Sequence, residues 1–172
     1  MILPCGCPDQ YPDWDGRDID LAGQGVHILP IAALAHMPIS YELYRAKQQQ
    51  EFEKLGLKER WPGFTLTHTG MFGGKIMRLL ESTDSPSRRV QVLPAPYKLR
   101  GRLHRGDVGT IKTAVQRTQA ELLDAGHMPK ELYLCYLTCP QCADKRGGDR
   151  ILLLRRWVES PALARKVAQM RK

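Results

Sequence analysis

The sequence has no long hydrophobic run. Its most apolar stretch, VHILPIAALAHM at residues 26–37, is interrupted by two histidines and a proline, and it is shorter than the ~20 apolar residues that cross a bilayer. The N-terminus also lacks the basic segment and the continuous apolar segment of a secretory signal peptide. These absences predict a cytoplasmic protein that does not bind a membrane.

Common catalytic signatures are absent as well. The chain contains no G-x-S-x-G nucleophile elbow, no H-E-x-x-H helix and no dinucleotide-binding fingerprint. The segment TGMFGGKIMRL at residues 69–79 has glycines before Lys75, but a P-loop needs Ser or Thr after the lysine and a helix where this sequence predicts a strand. A hairpin turn explains those glycines. The most common hydrolases and nucleotide-binding enzymes are therefore excluded, and whether the protein is an enzyme stays open.

Acidic residues are scarce relative to basic ones. The 172 residues include 26 Lys and Arg against 18 Asp and Glu, a net charge of +8. Residues 75–117 contain ten cations and three acids, and residues 145–172 contain nine and two. Residues 1–20 differ, with five aspartates and a single arginine. A basic balance of this size predicts an anionic partner.

Apolar periodicity predicts a single α+β domain over residues 1–172, with three helices and a mixed, mainly antiparallel sheet. Residues 1–25 are rich in Pro, Gly and Asp and are expected to form an irregular N-terminal segment. Ser40, Asp107 and Ser160 are predicted helix N-caps. The third helix is predicted as a basic C-terminal helix over residues 158–172. Hairpins are predicted within residues 64–81, 88–104 and 131–157, and no internal repeat is visible.

Four of the five cysteines form two close pairs at opposite ends of the chain. PCGC contains Cys5 and Cys7, and TCPQC contains Cys139 and Cys142 at a predicted hairpin tip. Both spacings let two sulfurs reach one ion, and in a reducing compartment closely spaced cysteines more often bind metal than form disulfides. We therefore predict one four-cysteine zinc site that clasps the N-terminus to the C-terminal hairpin.

Cys135 offers an alternative to zinc. Together with Cys139 and Cys142 it forms C-x3-C-x2-C, the spacing of the cluster loop in radical S-adenosylmethionine enzymes. Those enzymes need a long α/β barrel after the motif, whereas only 30 residues follow Cys142. Cys135 also lies within the apolar segment LYLCYL, where a cysteine behaves as a small hydrophobic residue. A core thiol is therefore favoured, and an iron–sulfur centre is the lesser alternative.

The aspartates of DWDGRDID do not form an EF-hand loop, because no glutamate closes the twelve-residue pattern. The four residues are Asp13, Asp15, Asp18 and Asp20. A solvated acidic turn is the favoured interpretation. Docking of these carboxylates on the protein's own basic surface and a catalytic role are the alternatives.

A basic stripe is predicted on the strand YKLRGRLHR, where every second side chain points to one face. Its members are Lys98, Arg100, Arg102, His104 and the following Arg105. The helix predicted after Asp107 begins beside the stripe, and its N-terminal N–H groups can bind an anion. This arrangement suits a phosphate backbone or a small anionic ligand. A solvated strand face is the alternative.

These patterns favour a zinc-stabilised basic protein that binds nucleic acid through the basic stripe and the C-terminal helix. One alternative is an enzyme that acts on a phosphorylated or carboxylated small molecule, with Arg100, Arg102, His104 and Asp107 near its pocket. Another is a protein–protein adaptor with an acidic partner. Catalytic zinc is not expected, because four cysteines leave no open coordination position.

Overall fold

The computed structural model describes residues 1–172 and contains ten strands and three α-helices. The strands are β1 (Asp18–Asp20), β2 (Gly25–Ile31), β3 (Ala33–Leu34), β4 (Met37–Pro38), β5 (Thr65–Thr69), β6 (Gly74–Leu79), β7 (Val90–Val92), β8 (Lys98–Arg105), β9 (His127–Tyr136) and β10 (Arg150–Glu159). The helices are α1 (Tyr41–Leu55), α2 (Lys112–Asp124) and α3 (Pro161–Met170), with 3₁₀ helices at Val108–Thr110 and Asp144–Arg146. Eight strands form one sheet in the order β1-β8-β10-β9-β5-β6-β2-β7, and β3 and β4 form a separate hairpin.

Eight of these elements form two units with the same strand–helix–strand–strand order. The first unit is β2, α1, β5 and β6, and the second is β8, α2, β9 and β10. Each unit places its third strand between its first and second, so the strand order is palindromic about the contact between β5 and β9. The β-ladder between these two strands contains a single residue pair, Thr67 with Leu134. The sheet is therefore built from two topologically equivalent halves joined along a short seam.

The same kind of polar contact holds each helix to its half of the sheet. A basic side chain of the first strand contacts a helix glutamate, and an arginine of the third strand donates to a helix glutamine. The pairs are His27–Glu51 (2.9 Å) and Arg78–Gln49 (3.0 Å) in the first unit, and Arg102–Glu121 (2.6 Å) and Arg155–Gln119 (3.2 Å) in the second. The repeat escapes sequence inspection because the residue types differ between the halves.

Strand β10 is buried on both faces, as its ILLL run predicts. Leu152 and Leu154 pack into the larger core on one face, while Ile151 and Leu153 pack beneath α2 on the other. Helices α1 and α2 thus cover one face of the sheet. The hydrophobic residues on the opposite face are covered by another part of the chain.

The N-terminal segment, residues 1–25, packs against the larger core. Tyr11 and Trp14 contact it, and β1 extends the sheet beside β8. The backbone of Gly101 exchanges hydrogen bonds with Gly16 (3.0 Å) and Arg17 (2.9 Å). A Cβ atom at Gly101 would overlap the Trp14 carbonyl, so glycine is needed there for this close approach.

The predicted α+β class, with three helices and a mainly antiparallel sheet, is confirmed. The hairpins predicted within residues 64–81 and 131–157 form as β5–β6 and β9–β10. The hairpin predicted within 88–104 is wrong, because β7 pairs with β2 whereas β8 pairs with β1 and β10. Pro94 and Pro96 lack the N–H groups that a continuous ladder needs, and the chain crosses to the other end of the sheet.

The predicted helix starts have mixed outcomes. Ser160 caps α3, accepting the Leu163 N–H at 3.3 Å, although β10 continues to Glu159 and α3 is shorter than the predicted 158–172. Asp107 caps the 3₁₀ turn before α2 instead of α2 itself. Ser40 occupies the N-cap position of α1 as predicted, but it has φ +54° and its side chain accepts no cap hydrogen bond. None of the helices combines the length and the apolar character of a membrane span.

Candidate metal centre and basic surface

The fold brings both cysteine pairs to one place. The sulfur atoms of Cys5, Cys7, Cys139 and Cys142 all lie within 4.8 Å of one another, and none of them is in a disulfide. The sulfurs of Cys139 and Cys142 are 3.9 Å apart. A tetrahedral ion with metal–sulfur bonds of about 2.3 Å holds its ligands roughly 3.8 Å apart. These four residues, the cysteine cluster, can therefore hold a metal ion.

The first half of the cluster is a tight turn of the N-terminal segment. Gly6 has φ +85°, which lets the chain reverse between Cys5 and Cys7. The Leu3 N–H donates to the Cys7 carbonyl at 2.9 Å, and the Gly6 N–H donates to the Leu3 carbonyl at 2.8 Å. The turn therefore presents both sulfurs on the same side.

The second half is the loop between β9 and β10. The Cys139 carbonyl accepts hydrogen bonds from the N–H groups of Cys142 (3.0 Å) and Ala143 (2.9 Å), which closes a helical turn. The Cys139 N–H points to the Cys142 sulfur at 3.4 Å. An N–H donor of this kind stabilises negative charge on a thiolate ligand.

Two arginines hold the N-terminal turn against the rest of the molecule. The Arg146 guanidinium donates to the carbonyls of Pro8 and Leu137, each at 2.9 Å, and so links the two halves of the cluster. Arg45 of α1 donates to the Gly6 carbonyl. Sequence inspection missed both residues, because a guanidinium that binds backbone carbonyls leaves no motif.

Without a cation, ionising the thiols of this cluster is unfavourable. Burial raises the pKa of the Cys7 thiol, and hydrogen bonds with the other three cysteines add to the increase. Cys7 and Cys142 are only 2% and 8% exposed. A divalent cation reverses this effect because it binds thiolates and displaces their protons. With four sulfur ligands the coordination shell is closed, which suits a structural ion.

Cys135 lies outside the cluster. It is fully buried in β9, within the larger core that also contains Tyr133, Leu137 and Leu152. Burial alone raises the pKa of its thiol well above the usual value. Its environment matches the predicted core thiol.

The members of the basic stripe alternate along β8, and most have partners within the molecule. Arg100 forms two hydrogen bonds of 2.7 Å with Asp18, and Arg102 contacts Thr118 and Glu121. Lys98 lies 3.4 Å from Glu159 and above the Trp157 ring, and the His104 ring is 2.9 Å from the Thr110 hydroxyl. Arg105 is exposed and has no acidic partner. Carboxylates therefore neutralise most of the stripe, and Arg105 is its most exposed unpaired cation.

The acidic N-terminal residues supply part of that neutralisation. The contacts are Asp13 with Arg17 (2.9 Å), Asp15 with the Leu103 N–H (2.8 Å), Asp18 with Arg100 (2.7 Å) and Asp20 with the Tyr97 N–H (3.0 Å). The Arg100 guanidinium holds the pKa of Asp18 below its usual value. Docking on the protein's own basic surface therefore describes Asp18, whereas Asp13 pairs with the neighbouring Arg17 and Asp15 and Asp20 accept hydrogen bonds from backbone N–H groups.

No described cleft forms around the residues of the enzyme hypothesis. Of the twelve surface clefts, the five main ones have volumes of 200 to 550 Å³, and none of these five is lined by Arg100, Arg102, His104 or Asp107. By contrast, α3 carries the exposed cations Arg165 and Lys166 with no acidic residue between positions 160 and 172.

Comparisons with known proteins concern the fold. The sequence matches no protein-family model and no curated protein. Among solved structures, the chain is similar to the crystal structure of the EcmrR C-terminal domain, with a TM-score of 0.64, 12% identity, and coverage of 84% of this chain and 97% of that one. It is also similar to EcmrR in a cryo-EM structure of an EcmrR–DNA complex, with a TM-score of 0.60 and 10% identity over 84% of this chain. The match spans 57% of that longer chain.

Proposed function

We propose that this chain is a zinc-stapled basic protein that binds nucleic acid. The observation that carries the zinc assignment is the cysteine cluster, in which four sulfurs from both ends of the chain surround one point. Iron–sulfur clusters distribute their cysteine ligands over two or four irons, so sulfurs within 4.8 Å of one another suit a single ion better. Zinc would act structurally, fixing residues 1–9 against the β9–β10 loop. Free cysteines persist most readily in a reducing compartment, so we place the protein in the cytoplasm.

The nucleic-acid part of the proposal is supported by charge and by the structural neighbours. A net charge of +8 attracts polyanions, and one neighbour is described in complex with DNA. Because part of that neighbour's chain has no counterpart here, the contact surface has to be argued from this chain's own cations.

We assign phosphate contacts to cations that are not already paired. Arg165 and Lys166 of α3 and Arg105 of β8 are exposed and lack acidic partners. Lys98 is one-third exposed but is paired with Glu159 at 3.4 Å, so we assign it a weaker contact. The remaining stripe residues, Arg100, Arg102 and His104, would hold β8 in place through their internal contacts. A cation that gives up an internal carboxylate to bind phosphate gains less than an unpaired one.

Fluorescence anisotropy with labelled duplex DNA, single-stranded DNA and RNA over a salt series tests this proposal. We expect affinity to fall linearly in log–log form with salt, because cations displace counterions from phosphates. The double variant Arg165→Ala/Lys166→Ala should lose several-fold in affinity and about two units of the salt slope.

The matched control is Lys47→Ala/Lys54→Ala, which removes two exposed, unpaired cations from α1 and leaves the same net charge. It should retain most of the affinity. Absence of binding to all three nucleic acids at low salt would refute the proposal, and equal losses in both double variants would refute the assigned surface.

A further inference from the structure

An exposed apolar patch lies where two hairpin ends meet. The β3–β4 hairpin and the β5–β6 turn expose five large hydrophobic side chains. They are Leu34 (58% exposed), Met37 (58%), Ile39 (47%), Met71 (51%) and Phe72 (85%). Isolated exposed hydrophobic residues are common on proteins, but five of them on two adjoining hairpin ends indicate an interaction surface.

The two hairpin ends form one rigid unit. The Ala35 N–H donates to the Met71 carbonyl at 2.8 Å, and the His36 N–H donates to the Gly70 carbonyl at 3.1 Å. The Thr69 hydroxyl donates to the His36 carbonyl at 2.7 Å. Ala35 and His36 both have positive φ angles, +49° and +65°, a strained conformation for residues other than glycine that surrounding contacts must maintain. The patch is therefore presented in a fixed shape.

The patch is also electrically neutral within a strongly basic molecule. Residues 26–41 and 61–74, which contain all five side chains, include no Asp, Glu, Lys or Arg. Contact between two copies at most other places would bring cationic surfaces together, since each chain carries +8. At this patch, two copies can meet without bringing like charges together.

The area of the patch suits contact with an identical patch. The exposed fractions correspond to on the order of 600 Å² of side-chain surface, the upper end of what monomers leave uncovered. Two such patches facing each other would bury on the order of 1,200 Å², which reaches the lower limit of specific interfaces. Phe72 and the two methionines supply the aromatic and adaptable side chains that are enriched in interface cores.

We propose that this patch is the contact between two copies of the chain in a two-fold homodimer. In an isologous contact each patch covers the other, so both sets of hydrophobic residues leave water together. This dimer goes beyond the proposed function, because it depends on neither metal nor nucleic acid.

Sedimentation velocity over a range of protein concentrations, with saturating zinc and a thiol reductant, tests the dimer. We expect the wild-type mass to approach two chains as concentration rises into the micromolar range. Phe72→Asp should raise the dissociation constant at least tenfold, because the interface would bury an unpaired carboxylate from each chain. Met37→Asp should act in the same direction.

The control is Val92→Asp, which places the same charge at a 57% exposed apolar residue of the edge strand β7. It should dimerise like the wild type. Circular dichroism and zinc content establish that each variant is folded. A wild-type chain that stays monomeric at high concentration would overturn the proposal and point to a different protein as the occupant. Equal effects of Phe72→Asp and Val92→Asp would also overturn it.

Discussion

Removal of the metal is the perturbation that most directly tests the structure. A metal ion bound by the cysteine cluster would close a loop that runs from Cys7 to Cys139. In the chain-entropy treatment, a link that closes about 130 residues stabilises the folded state by about 5 kcal/mol. Mass action gives a similar stabilisation. When the free metal concentration is a thousand times the dissociation constant, binding stabilises the folded state by about 4 kcal/mol. We therefore expect a strong chelator to lower the free energy of unfolding by about 4 to 5 kcal/mol.

At about 2–4 °C per kcal/mol for a chain of this size, the Tm should fall by roughly 10–20 °C. The sheet should remain folded without metal, because β1 and the Asp15 and Asp18 contacts hold the N-terminal segment independently of the cysteines. Thermal melts followed by circular dichroism, with and without chelator and always with a thiol reductant, provide the measurement. Metal analysis should give one zinc per chain, and cobalt substitution should give thiolate charge-transfer absorption.

Cys135→Ala is the matched control for Cys139→Ser. Both remove a thiol, but Cys135 lies in the core away from the cluster. Cys135→Ala should cost on the order of 1 kcal/mol through lost packing, while keeping one metal ion and the full response to chelator. Cys139→Ser should lose both the bound metal ion and the response to chelator. A metal-free protein purified without chelators, or a Tm that chelation leaves unchanged, would refute this reasoning.

Two further predictions concern the sheet. Gly101→Ala should lower the free energy of unfolding by about 1–3 kcal/mol, because its Cβ would overlap the Trp14 carbonyl; chemical denaturation measures this loss. Gly73→Ala, whose Cβ has only an ordinary 3.9 Å contact, is the control, and equal losses would contradict the reasoning. Burial lowers the pKa of His27, outweighing the opposing effect of the Glu51 carboxylate. The unfolded state therefore binds a proton before the folded state does, and stability should fall as pH drops below about 6.5, by at most about 1.4 kcal/mol per pH unit from this residue. His27→Gln should flatten the pH dependence of the unfolding free energy, and an unchanged slope would show that His27 does not contribute.

Several features could be predicted from the sequence because local residue patterns encode them. The alternation in β8 and the unbroken apolar run in β10 gave strands in the correct places, since side-chain period and burial follow directly from sequence. The Ser160–Pro161 cap identified the start of α3 for the same reason. The spacing within each cysteine pair predicted two halves of a metal site, and the fold brings those halves together.

Other features depended on which distant residues meet. The basic stripe looks free in sequence, yet Asp18 and Glu121 occupy Arg100 and Arg102, because β1 and α2 pack beside β8. The charged residues of a strand can be counted from the sequence. Whether their side chains are free to bind a partner depends on the acidic residues that the folded chain places beside them.

The sequence by itself determined the residue types of the cysteine cluster, the net charge and the strand and helix periodicities, because these are properties of neighbouring positions in the chain. Only the tertiary structure decided the duplicated sheet, the neutral apolar patch and the arginines that bind carbonyls around the cysteines. Each of these joins segments that are tens of residues apart. Their contact is fixed by burial and hydrogen bonding over the whole molecule, which no local pattern records.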